Sequence, residues 1–209
     1  MMKKLLSLAL CVAAMNLVGC AGAGLKNVDP SWTEAPASIT VLVTEATVQN
    51  RDDVSDDLPD YADNFMGWFS NQMASEFQKQ AGLTPKVEVK GMDAFDFVPV
   101  TFKKKEVNVP QPKFDEVGVS EGYIISIAAL DISRLSETKM TGPTSAETRT
   151  YLQFVADYTI ANSADKKVVT TGTIKARETI GFAMTKGNWE ANMENFVEEI
   201  IKDTPLKKK

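Results

Sequence analysis

Histidine is absent from the 209 residues. That excludes Ser-His-Asp and Cys-His catalysis and any histidine-ligated zinc site. Cysteine occurs only twice, at Cys11 and Cys20, too few for a disulfide framework. No apolar run reaches the roughly 20 residues needed to span a bilayer as a helix. The longest, Leu5 to Val18, is 14 residues and almost wholly apolar. Basic charge is also scarce: 23 lysines and arginines stand against 28 acidic residues, for a net charge of −5. This is the reverse of a nucleic-acid-binding footprint, so no nucleic-acid partner is expected. With 44% hydrophobic and 24% charged residues, what remains is ordinary globular composition.

What is present begins with an address. Met1-Met2-Lys3-Lys4 is a short basic start, and Leu5 to Val18 follows as the apolar centre of a secretory signal. Leu17-Val18-Gly19-Cys20 then resembles the bacterial lipobox. The resemblance implies cleavage after Gly19 and a diacylglycerol on the sulfur of Cys20, with further acylation of the new amino terminus. Two or three acyl chains give durable anchoring where one does not. The residue after the cysteine is Ala21 rather than aspartate. In the enterobacterial sorting pattern this is similar to, that favours the outer membrane.

The organisation expected is a signal peptide over 1–19, a lipidated tether over 20–37, one α+β domain over 38–203 and a basic tail over 204–209. The tether reading rests on Ala21-Gly22-Ala23-Gly24, on Pro30 and Pro36, and on the lack of any apolar period. Trp32 is read as resting on the domain surface. The alternation of Ile39, Val41 and Val43 predicts the first strand. A helix is predicted over 58–81 from the stripe Tyr61, Phe65, Phe69, Met73 and Phe77, with Asp57 as its cap, Pro59 just inside and Gly82 as its stop. A short strand follows near 86–90. Residues 93–120 read as a long surface loop, with one further strand at most over 93–97. A central strand is expected over 122–133, a polar hairpin tip over 134–148, and strands over 150–160 and 168–177. A second amphipathic helix opens near Asn188 and carries Trp189, Met193, Phe196, Val197, Ile200 and Ile201. The fold class expected is α+β: a two-layer sandwich, with a mixed sheet of four to five strands and both helices on one face.

Gly122-Tyr123-Ile124-Ile125, the hairpin over 158–173 and the closing helix over 189–201 resemble the second half of a broad group of bacterial envelope lipoproteins. The group contains the curli-secretion lipoprotein, penicillin-binding-protein activator lipoproteins and the TolB amino-terminal domain. The resemblance implies a fold and an envelope location; it carries no diagnostic site motif.

Candidate chemistry is sparse. Ser136-Glu137-Thr138-Lys139 and Ser163-Ala164-Asp165-Lys166 match the Ser-x-x-Lys spacing of penicillin-recognising enzymes, but neither has the companion motifs. The acidic stretch from Asp52 to Asp60 lacks the glycine and closing glutamate of a calcium loop, and reads as a solvated approach to a helix. Lys103–Lys105 and Lys207–Lys209 read as solvated basic runs. No catalytic residue, metal ligand or cofactor is expected. If the helices take the face carrying Leu152, Phe154, Ala156, Tyr158 and Ile160, the reverse face is left uncovered. It would show Tyr151, Gln153, Val155 and Asp157 beside Val169, Thr171, Thr173, Lys175 and Arg177. From these, Tyr151, Val155, Lys175 and Arg177 are the candidate partner-binding residues. The function expected is a non-enzymatic, lipid-anchored, periplasm-facing adaptor or assembly factor with an envelope protein partner. The alternative is an accessory subunit of an envelope secretion or transport apparatus.

Overall fold

The computed structural model of the chain describes residues 24–102, 104–142 and 144–208. The expected signal segment, Gly19 and Cys20 lie outside the described residues. Among those described, no helix is long and apolar enough to cross a membrane.

The first strand, β1, is Lys26–Val28. β2 (Ile39–Thr44) and β3 (Thr47–Val48) follow. Helix α1 is Arg51–Asp57, a 3-10 turn covers Pro59–Asn64, and α2 is Phe65–Ala81. Next come β4 (Lys86–Lys90), β5 (Phe95–Phe102), β6 (Lys105–Pro112) and the single-turn α3 (Phe114–Val117). The chain closes with β7 (Tyr123–Met140), β8 (Ala146–Asn162), β9 (Val168–Ile180) and α4 (Lys186–Ile201).

The fold is α+β. One mixed sheet of seven strands runs β1-β9-β8-β7-β2-β4, with β3 beside β7, and β5–β6 form a separate two-stranded sheet. The helical crossover makes β2 and β4 parallel, while β7, β8 and β9 form an antiparallel meander. β2, β4, β7, β8 and β9 are the strands expected; β1 and β3 are the short additions. Both long helices pack on one sheet face. Phe69 of α2, Phe154 of β8 and Phe196 of α4 meet there, with ring centroids 6.0–6.1 Å apart.

Several expectations are corrected. The predicted helix over 58–81 is divided, because Asn64 caps the true start of α2: its Oδ1 accepts the Gly67 amide at 3.1 Å. Asp57, expected as that cap, instead ends α1 and accepts the indole N–H of Trp189 at 3.2 Å. Gly82 does stop the helix, in the left-handed conformation at φ 73°. The closing helix begins at Lys186, with the Asn188 side chain turned back onto the Thr185 amide at 3.0 Å.

The expected loop over 93–120 is mostly the β5–β6 hairpin. Prolines 99, 110 and 112 are compatible with it because each strand pairs on one side only. The expected polar tip over 134–148 is mostly strand, since β7 and β8 stay paired out to Met140 and Ala146.

The tether expected over 20–37 is also shortened. β1 lies antiparallel on β9. Lys26 is half-buried there and donates its ammonium to the carbonyls of Ile200 (3.1 Å) and Lys202 (2.6 Å), the unsatisfied end of α4. Burial and the neighbouring Lys202 push its pKa down to about 8. Asp29 pairs with Lys167 at 2.7 Å, and Trp32, 7% exposed, stacks on Tyr123 at 5.3 Å.

Candidate partner-binding face

Alternation along β8 sends its odd-numbered residues away from the helices. The register places Gln153 opposite Arg177, Val155 opposite Lys175, and Asp157 opposite Thr173. Tyr151, Val155, Lys175 and Arg177 therefore share one half-buried face, as the sequence predicts. The Arg177 guanidinium lies 5.4 Å from the Tyr151 ring centroid. It also donates to Gln153 Oε1 at 2.7 Å and pairs with Glu137 at 2.8 Å. The arginine is thus held over the aromatic ring by two acceptors.

Val169, placed on this face by simple alternation, belongs to the main core instead. The cause is a register shift between Ile160 and Ala161 opposite it.

A second irregularity lies in β7. Ala129 adopts φ 54° where the β7–β8 register shifts between Ala128 and Asp131. Before it, Ile125 and Ile127 point to the main core; after it, Leu130 and Ile132 do. Odd residues therefore change sides. Asp131, Ser133, Leu135 and Glu137 join the Tyr151 face, opposite Val155, Gln153, Tyr151 and Arg149. Leu135 and Glu137 were not among the sequence candidates, because nothing in a run apolar on both sides marks where its parity breaks.

The reverse face is not uncovered along its whole length, contrary to expectation. At its lower end, β6 and α3 cover it. Leu42, Phe95 and Ile124 form a second small core there, backed by Phe114 and Val117. The hydroxyl of Thr159 donates to the Pro110 carbonyl. Asp157 sits at the boundary, where burial pushes its pKa up to about 6 against the opposing pull of Lys105 from the hairpin turn. Only the upper half, from Val155 to Tyr151, stays open.

The hairpin strands are eight residues each, short of the roughly 9–11 that a transmembrane β-strand needs. Among the described residues no three carboxylates or thiols converge as a metal cage. In the acidic 52–60 stretch, Asp53 faces Arg134 at 3.9 Å. Of the two Ser-x-x-Lys serines, Ser136 bonds Thr150 (3.0 Å) and Ser163 bonds the Gly122 carbonyl (2.9 Å).

No family model matches the chain, and no curated protein matches it. Among solved structures it is similar to the PelC dodecamer from Paraburkholderia phytofirmans in two crystal forms. One shows 10% identity over 90% of this chain and 100% of the other, with a TM-score of 0.39. The second shows 11% identity over 90% and 98%, again at 0.39. A neuraminyllactose-binding hemagglutinin homolog from Helicobacter pylori shows 10% identity over 81% and 85%, with a TM-score of 0.35. At such scores these likenesses fix neither a family nor a function for this chain.

Proposed function

We propose that this chain is a lipid-anchored lipoprotein of the bacterial envelope, held by acyl chains on Cys20 and facing the periplasm. There it binds a protein partner as an adaptor or assembly factor. The observation that carries the binding role is the half-covered reverse face. Its own hairpin takes the lower end, while Tyr151, Leu135 and Val155 form an apolar strip above it, bordered by Lys175 and the clamped Arg177. A small apolar centre with a polar rim is the composition of a protein interface. A tyrosine held beneath a guanidinium is a preorganised anchor for one.

Two measurements test the reading. Cys20→Ala should abolish fatty-acid labelling and either release the protein into the soluble fraction or leave it unprocessed. Labelling and fractionation like wild type would refute the anchor. For the binding role, proteins crosslinked to the wild-type chain in intact cells are compared with those crosslinked to a Tyr151→Ala, Arg177→Gln double variant. The double variant should lose its main crosslinked partner while keeping its thermal unfolding midpoint. Undiminished crosslinking by the folded variant moves the site away from this face.

A further inference from the structure

Beyond the open face, β7 and β8 continue as an arm. β2 and β3 pair with β7 no further than Ile127 and Ile132, and β9 pairs with β8 no further than Thr150. β7 and β8 nevertheless remain paired to Met140 and Ala146. Every residue of 136–140 and 146–149 is exposed. A two-stranded ribbon is marginal alone in water, and a strand edge without a neighbour is a template for another strand. Among the described residues no strand lies along the outer edge of β7 past Ile132.

The charges on this arm are ordered. Glu137 stands opposite Arg149, and Lys139 stands opposite Glu147. The sign therefore alternates both along and across the ribbon. Along β7 the order is Glu137-Thr138-Lys139, which complements itself when reversed. An antiparallel second copy of that edge, centred on Thr138, sets each Glu137 against the other copy's Lys139. One row across the four strands would then read Glu147, Lys139, Glu137, Arg149, and its neighbour the reverse. Every adjacent pair in both rows is of opposite charge, and opposite charges directly across strands stabilise pairing. Glu137 keeps exposed surface for this while it accepts from Arg177, its side chain being 45% exposed.

The β8 edge carries a similar order, Glu147-Thr148-Arg149, but a weaker opportunity. It is free for only four residues before β9 occupies it at Thr150. Its two charges also already bond each other at 2.7 Å along the strand. A second copy centred on Thr148 would run into β9.

We propose that two copies of this chain associate through antiparallel, two-fold symmetric pairing of their β7 edges about Thr138. The two arms join as one four-stranded ribbon. A two-fold contact of this kind closes on itself and adds no further copies.

The test uses the full-length chain purified in detergent, followed by sedimentation velocity. Wild type should sediment as a dimer. E137K and K139E alone each place like charges across the seam and should weaken dimerisation at least about tenfold. An equimolar mixture of E137K and K139E restores opposite charges at both positions and should recover a heterodimer. Independently of charge, T138C should crosslink to itself on oxidation, since facing residues in antiparallel strands have Cα atoms about 4.5–5.5 Å apart. T148C should not. A monomeric wild type, single variants that dimerise normally, a mixture that fails to recover, species larger than a dimer, or crosslinking through T148C in place of T138C would each overturn the proposal.

Discussion

At Asp157 one carboxyl sits where the hairpin's cover over the reverse face of the sheet ends. The hairpin turn removes it from water, and Lys105 only partly compensates, so its pKa stands near 6 instead of 3.8. The folded state then holds the proton more tightly than the unfolded chain does. Between pH 6 and pH 4 this group's contribution to stability therefore rises as pH falls, and above pH 6 its charge is a cost. Asp157→Asn should raise stability at pH 7 by on the order of 2 kcal/mol and flatten the pH dependence between 4 and 6. Urea unfolding at a series of pH values measures both. Asn192 is a second polar residue in an apolar place. It is fully buried on α4, and neither side-chain polar atom finds a partner among the described residues. Replacement by leucine should raise the urea midpoint, by the equivalent of about 1–2 kcal/mol. Nothing in the sequence marks Asn192 as buried, because the apolar stripe of α4 is complete without it.

Among the elements, those with a clean period were legible and those whose neighbours set their shape were not. β8 and β9 could be read because one face of each is largely core and the other is not, and β2 because Ile39, Val41 and Val43 alternate toward the main core, although Leu42 on its other face joins the second small one. α4 could be read because Trp189, Met193, Phe196 and Ile200 recur at helical steps. Phe69, Phe154 and Phe196 join both helices to the sheet, each fully buried. Truncating Phe69, Phe154 or Phe196 to alanine should cost about 3–5 kcal/mol each. Losses below about 1 kcal/mol at all three would contradict this core. The β5–β6 hairpin left no such trace, because its strands alternate against a sheet face that is itself polar at Thr159 and apolar at Ile124. Nor did β1, three residues whose partners are 142–146 positions away in sequence. The signal for β1 lay in β9. Gly172 is where a Cβ would meet the Leu25 carbonyl at 2.5 Å and the Tyr158 ring at 2.7 Å. Only glycine leaves room for both, so Gly172→Ala should detach β1 or displace Tyr158, and amide exchange at 26–28 should report which.

For the whole molecule, β1 and Trp32 make the amino-terminal segment part of the folded body. Lys26 closes the end of α4, Asp29 holds Lys167, and Trp32 covers Tyr123. Replacing both Lys26 and Trp32 with alanine removes two of these fastenings while leaving the Phe69–Phe154–Phe196 cluster untouched. A non-specific protease should then cut between residues 24 and 38 about tenfold faster, with little change in the unfolding midpoint of the remainder. Equal resistance of the variant and wild type would mean that the strap is held by its strand pairing alone.

That strap fixes a length. With the proposed anchor on Cys20 and β1 in place, only residues 21–24 would separate the lipid from Leu25, a reach of at most about 17 Å. Peeled back to Ile39, the same chain would reach about 60 Å. Under the proposed anchoring at Cys20, the docked form would hold the amino-terminal strand close to the bilayer surface. Two copies so tethered would be confined to one plane, where even a weak edge-to-edge contact is sampled far more often than in open solution.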